Sequence, residues 1–306
     1  MPSQGSIIVR MDELDRVLQV AERAARLGGA LAREKIDEPN QYFSWKRSRD
    51  PFVAQSLVVQ NVIVDTIREA YPEHAILAEE GPEDEAMPVG ADPLWVVDPI
   101  CGSLNYMQRD PAYTVSIGFL LDGAFQVGVV YEPERDAMYT AIDGRGSHLN
   151  GKRIFVDQFA DGVEAFQRAA VGIDWPGEMN ARKEMLTVVG TIVPVVQSVR
   201  VIGSPALGLC YVAAGRLHGY SGLDLRVWDI APAAVILSNA GGTLTNFAGS
   251  SWYHSPDGGY VASNSIIHGR LLQSAGAVLA LRRLAAARAA RDSPAGPQAA
   301  PADAGG

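Results

Sequence analysis

The sequence predicts an α+β first half, with two helices packed on an antiparallel sheet, followed by an α/β second half. Three observations carry this reading. Apolar residues recur at three- and four-residue spacing near the N-terminus. The period then falls to two between glycine-containing turns, and beyond residue 169 strand-like and helix-like runs alternate.

Asp12 is a candidate cap for the first helix, which places Leu14, Val17, Leu18, Ala21, Ala25 and Leu31 on one face. Val58, Val59, Val62, Ile63 and Ile67 predict a second helix, ended at Tyr71-Pro72 because proline disfavours helix in the residue before it. Leu94 to Val97, Tyr113 to Ile117 and Phe125 to Val130 predict strands, with Asp122-Gly123 as a hairpin signal and turns at Asp143-Gly144 and Asn150-Gly151. In the second half, Ala169 to Gly172 and Val193 to Val201 read as strands. Residues 178–190, 204–215, Trp228 to Asn239 and 266–290 read as helices, with a short strand before Trp228 and a glycine stop at Gly241-Gly242. The closing SPAGPQAAPADAGG has too little apolar content to pack and is expected to be disordered.

The chain has 306 residues, 47% hydrophobic and 20% charged, enough to bury a sizeable core. Its 26 basic and 35 acidic residues give a net charge of −9, from which no nucleic-acid partner is expected, since phosphate-backbone affinity rests on clustered Lys and Arg. With only Cys101 and Cys210, no disulfide framework is expected, and a cytoplasmic setting follows as the simplest expectation. No signal peptide is read at the N-terminus, and no apolar run approaches the roughly 20 residues of a membrane span.

One stretch suggests chemistry. An acidic run, Glu79-Glu80-Gly81-Pro82-Glu83-Asp84-Glu85, follows the strand-like Ala75-Ile76-Leu77, and taken alone it reads as a solvated loop. Then Trp95-Val96-Val97 delivers Asp98 at a strand end, and Pro99-Ile100-Cys101-Gly102-Ser103 turns toward a short helix. Such a turn offers amides and a hydroxyl to a phosphate, and two nearby carboxylates suit a hard cation such as Mg²⁺. The histidines His74, His148, His218, His254 and His268 show no ligand spacing and are expected mostly at the surface or in loops. For Cys101 three readings stay open: a small buried apolar group, a thiolate activated at a helix N-terminus, or a soft-metal ligand.

These motifs resemble the inositol monophosphatase family of metal-dependent phosphatases, which carries Glu-Glu after a strand, then Asp-Pro-Ile-Asp-Gly-Thr, and later Trp-Asp-x-Ala-Ala. Here they stand as Glu79-Glu80, Asp98-Pro99-Ile100-Cys101-Gly102-Ser103 and Trp228-Asp229-Ile230-Ala231-Pro232. Gly144 to Gly151, Arg200 to Ser204 and Ala240-Gly241-Gly242 follow in family order, so the resemblance runs from about residue 12 to about residue 275. It implies a layered α-β-α-β-α sandwich. Residues 1–160 would carry the N-terminal helices, the antiparallel sheet and most metal-site residues. Residues 161–286 would form an α/β layer with the substrate pocket, and 287–306 the disordered tail.

The resemblance implies Mg²⁺ held by Glu79, Asp98, the Ile100 carbonyl and Asp229, and a phosphate-binding turn at Cys101, Gly102 and Ser103. Glu79, Asp98, Ser103 and Asp229 would carry catalysis, and Gly203, Ser204, Pro205 and Gly222 would line the substrate pocket. The family's second motif aspartate is replaced by Cys101, the aspartate leading into the second helix by Ser56, and the glutamate that contacts sugar-alcohol hydroxyls by Gly222. Asp224 and Arg226 lie close by, as substrate contacts or as a solvated loop. Sulfur is a poor ligand for Mg²⁺, so one weakly held ion is expected, with a second between Asp98 and Asp229 weaker still. The implied function is Mg²⁺-dependent hydrolysis, weakened, of a small phosphorylated sugar, cyclitol or nucleotide-like metabolite. Two alternatives are a different, non-hydrolytic reaction in the same pocket and a catalytically silent binding or regulatory subunit. The expected partners are a small phosphorylated or polyhydroxylated metabolite and a second copy in a homodimer, with no membrane.

Overall fold

The computed structural model describes residues 4–38, 43–47, 50–81, 90–158, 163–254 and 258–292. In chain order the first half comprises α1 (Gln4–Lys35), β1 (Phe43–Arg47), β2 (Asp50–Val53), α2 (Ala54–Ala70), β3 (Ala75–Ala78), β4 (Leu94–Cys101), α3 (Ser103–Met107), β5 (Thr114–Leu121), β6 (Ala124–Glu132), β7 (Ala137–Ile142), β8 (Ser147–Leu149) and β9 (Lys152–Ile154). The second half comprises α4 (Val163–Gln167), β10 (Ala170–Ile173), α5 (Met179–Ile192), β11 (Ser198–Val201), α6 (Pro205–Ala213), β12 (Gly219–Leu223), α7 (Val227–Asn239), β13 (Thr243–Asn246), β14 (Gly259–Ser263) and α8 (His268–Asp292).

Five layers result. A seven-stranded sheet runs β3-β4-β5-β6-β7-β8-β9, antiparallel except for the parallel β3–β4 pair. Its outer face packs on α1 and α2, through Val17, Ala21, Ala25, Val59, Ile63 and Ile67. Its inner face packs on α6 and α7, which also meet the second sheet, β11-β10-β12-β14-β13. Beyond that sheet lie α5 and α8. With helices on both faces, every residue of β4 is buried, and the strand reads as a continuous apolar run rather than an alternation.

Two hairpins form where Asp122-Gly123 and Asn150-Gly151 both take positive φ, the geometry that matches strand twist. The structure also corrects several sequence expectations. Asp12 lies inside α1, which starts at Gln4. Residues 193–197 turn off the end of α5, so the strand begins only at Ser198. The short β13 and β14 lack an alternating signature and were not expected. α8 continues to Asp292, and residues 293–306 of the tail lie outside the described residues. His268 is buried, with Thr245 Oγ1 2.9 Å from Nε2 and Ser263 Oγ 3.0 Å from Nδ1. Burial lowers its pKa. Among the described residues, no helix is long and apolar enough to cross a membrane.

The central layer depends on close approach of α7 to the sheet. A Cβ on Gly128 would fall 2.1 Å from the Pro232 carbonyl oxygen, a backbone atom that cannot swing aside. Gly128→Ala is therefore expected to cost about 1–3 kcal/mol in denaturant unfolding. Gly190→Ala, on α5 with open space around it, is expected to stabilise by about 0.5–1 kcal/mol. Equal effects of the two substitutions would contradict this packing.

Candidate metal centre

The site starts from an irregularity in β4. Asp98 pairs with Ser116 and Cys101 with Thr114, so β4 carries one residue more than β5 between these pairs. In a regular strand, residues three apart point to opposite faces. The extra residue brings Asp98 and Cys101 to the same side. The Ile100 N–H donates to Asp98 Oδ1 at 3.1 Å, and the Ser103 hydroxyl donates to the Ile100 carbonyl at 3.2 Å. Gly102 follows at φ 108°, where a Cβ would meet the Gly203 carbonyl oxygen at 2.9 Å.

Two further elements converge on this turn. Glu79 leaves β3 with its N–H on the Val97 carbonyl at 3.0 Å. Its neighbour Glu80 is gripped by Gln60 of α2, through amide-to-backbone bonds of 3.0 and 2.8 Å. Asp229 stands in the first turn of α7, with Oδ2 accepting the Arg226 N–H at 2.6 Å. Ligand atoms of Asp98, Cys101 and Asp229 all lie within 4.8 Å of one another.

Asp98 is 1% exposed. Burial first, then the charges of Glu79 and Asp229, push its pKa well above the ordinary carboxylate value. A hydrogen bond with Glu79 adds to this, while one from the Cys101 thiol opposes it. Cys101 is likewise raised well above a free thiol, by burial and then by Asp98 and Asp229. Hydrogen bonds to Cys101 from the Ser204 hydroxyl, at 3.4 Å, and the Ala206 amide do not reverse this. Without a cation these effects favour the neutral thiol and weigh against the activated-thiolate reading.

The other expected residues are placed as follows. Ser204 is fully buried, bonded to Cys101 and 3.5 Å from Thr114 Oγ1. Gly203 takes φ 77°, and its N–H is held by Asp174. Pro205 starts α6. At Gly222 a Cβ would lie 2.6 Å from Leu225 Cδ1 and 3.1 Å from the Tyr220 hydroxyl, so these two side chains occupy the space a longer residue would need. Ser56 is buried on α2, and its Oγ has no hydrogen-bond partner among the described residues. It lies one helical turn before Gln60, hence on the face that grips Glu80. Of the acidic run, residues 82–85 lie outside the described residues. Asp174, Tyr220, Gln60 and Asn105 were not singled out from sequence.

The donor set fits a hard divalent cation. Asp98 and Asp229 bring carboxylate oxygens together, Glu79 is hydrogen-bonded to Asp98, and the charges acting on Asp98 are both negative. The Cys101 sulfur adds a neutral, soft neighbour.

A family profile described as "Inositol monophosphatase family" matches residues 13–280. A protein of Escherichia coli (strain K12) named Nus factor SuhB is 35% identical over 240 residues, covering 78% of this chain and 87% of that protein. The extragenic suppressor protein suhB of Bartonella henselae superposes with a TM-score of 0.78 at 25% identity, covering 85% of this chain and 98% of the other. An IMPase of Thermotoga maritima gives 0.75 at 26%, covering 88% and 98%. The Nus factor name corrects the expectation that excluded nucleic acid. Net charge is a sum over the whole chain, and −9 is no ground for setting aside a role of the kind that name denotes.

The electrostatics of Asp98 have a measurable cost. Because its pKa is raised, the folded chain holds a proton there that the unfolded chain releases. Stability without cation is full below the unfolded carboxylate pKa of 3.8 and falls as pH rises toward the folded value. In EDTA, Asp98→Asn is expected to unfold several degrees above the native chain at about pH 8, the two converging toward about pH 4. Thermal unfolding followed by circular dichroism checks this, and a variant less stable than native at the higher pH would contradict it.

Proposed function

The chain belongs to the inositol monophosphatase family, and we propose that it hydrolyses the phosphomonoester of a small phosphorylated sugar, cyclitol or nucleotide-like metabolite, slowly and with Mg²⁺. The observation that carries this reading is the buried Asp98, with ligand atoms of Asp229 and Cys101 within 4.8 Å and Glu79 hydrogen-bonded to it. Glu79, Asp98, Asp229 and the Ile100 carbonyl would hold the cation. When bound, Mg²⁺ lowers the pKa of an attacking water and stabilises charge on the leaving oxygen.

The chain's own groups do the rest. The Ser103 hydroxyl spends its proton on the Ile100 carbonyl, so its lone pairs are directed outward to accept from, and orient, a water. A carboxylate beside that hydroxyl would take the water's proton, and Ser56 on α2 is no base. The amides of Gly102 and Ser103 are the groups proposed to face the phosphate. Cys101, neutral and soft, supplies neither charge nor oxygen to the cation, so binding survives better than turnover.

A second reading is favoured by one finding, the name Nus factor carried by the 35%-identical relative. In that reading the chain is a regulatory factor whose pocket binds without turning over. Phosphate release from inositol phosphates, sugar phosphates and nucleotides, at several Mg²⁺ concentrations, separates the two. The expected result is slow Mg²⁺-dependent release by the native chain, raised roughly 10²-fold by Cys101→Asp combined with Ser56→Asp. Robust native turnover that Cys101→Asp abolishes would overturn the role given to Cys101. No turnover by any form would leave the regulatory reading standing.

A further inference from the structure

Asp174 follows directly on β10 and is buried, with no Lys or Arg among the groups that shift its pKa. Its Oδ1 accepts the N–H of Ile202 at 3.0 Å and also the N–H of Gly203, and its Oδ2 accepts the Tyr220 hydroxyl at 2.9 Å. These partners lie on separate strands: Ile202 and Gly203 just beyond β11, Tyr220 in β12, both parallel neighbours of β10. The carboxylate therefore ties the C-terminal ends of β10 and β11 to the Tyr220 side chain of β12.

The segment it holds is clamped from the other side as well. Asn105 Nδ2 donates to the Ile202 carbonyl at 2.9 Å and to the Ala112 carbonyl at 2.7 Å. The Asn105 side chain fills the place a Cβ on Gly203 would take, and the Gly203 carbonyl in turn closes on Gly102. One residue further on, Ser204 donates to Cys101 Sγ, and the Cys101 thiol bonds to Asp98. Tyr220, the third group held by Asp174, lies close enough to feel the charge of Asp229.

We propose that Asp174 is a positioning residue, which, by holding the amides of Ile202 and Gly203 and the Tyr220 hydroxyl, fixes Ser204 against Cys101 and so sets the wall of the pocket. Asp174 touches neither Asp98, Asp229 nor Glu79 through any of these bonds. Burial raises its pKa to about 6, the three donated hydrogen bonds holding it from rising further. What matters for position is the acceptor atom rather than the charge, so an amide oxygen in the same place serves for the two backbone bonds.

The proposal concerns the pocket of the preceding reading, and its test is chosen so that the two can fail separately. Native chain, Asp174→Asn and Asp174→Ala are treated with iodoacetamide well below their unfolding temperatures, and alkylation of Cys101 and Cys210 is followed separately by peptide mass spectrometry. Both cysteines are buried, so Cys210, in the middle of α6, reports general loosening. Binding of inorganic phosphate in the presence of Mn²⁺ is measured on the same samples. Asp174→Ala is expected to alkylate at Cys101 about tenfold faster or more, with Cys210 unchanged, and to weaken phosphate binding by a similar factor, the scale of losing hydrogen bonds to a charged group. Asp174→Asn is expected to restore both to within about threefold of native, since its Oδ1 accepts the same two amides.

Should Asp174→Ala fail to fold, Asp174→Glu, which keeps the charge and displaces the acceptor, replaces it in the same comparison. Native rates at Cys101 in the displaced-acceptor variant, or equal acceleration at both cysteines, would overturn the proposal. A native chain that binds no phosphate would count against the phosphatase reading, while the ratio of the two labelling rates still decides the role of Asp174.

Discussion

Asp98 sits 1% exposed in the core, with Glu79 and Asp229 beside it, and a carboxylate so placed must hold either a proton or a cation. Much of the surrounding architecture serves to bring these groups together. The bulge in β4 turns Asp98 and Cys101 to one side, Gln60 of α2 ties down the segment carrying Glu79, and the first turn of α7 delivers Asp229. Those three supports come from an outer helix layer, a sheet and the central helix layer. The site therefore exists only when the layers are stacked, and the close approach at Gly128 and Pro232 is part of what stacks them.

Cys101 alters the balance of that cluster without emptying it. A neutral thiol in place of a fourth carboxylate removes one repulsive charge and still donates a hydrogen bond to Asp98. The polar chain continues from Cys101 to Ser204 and Thr114, all buried, so the thiol is built into the packing between the two sheets.

Much of this was legible in the sequence. Glu79, Asp98, Ser103 and Asp229 stand in a recognisable order, and the periodicity of α2, β4 to β6 and α7 places them on the right kinds of element. What was not legible depends on contacts between distant positions. Asp174 follows a short strand and looks like any turn aspartate, because its partners are 28 and 46 residues away on neighbouring strands. Spacing likewise cannot say that the Ser204 hydroxyl bonds to Cys101, 103 residues away. β13 and β14 escaped because Thr-Leu-Thr-Asn and Gly-Tyr-Val-Ala-Ser carry too few residues for a period to register. The charge argument against nucleic acid failed for a different reason: a sum over 306 residues says nothing of any one surface or of what the chain assembles with.

Whether Asp98 and its neighbours bind a cation is decided by calorimetric titration of the purified chain with Mn²⁺. Saturable binding is expected of the native chain, lost in Asp98→Asn and weakened in Asp229→Asn, with both variants folded. Absence of saturable binding at millimolar Mn²⁺, or binding that Asp98→Asn leaves unchanged, would contradict it.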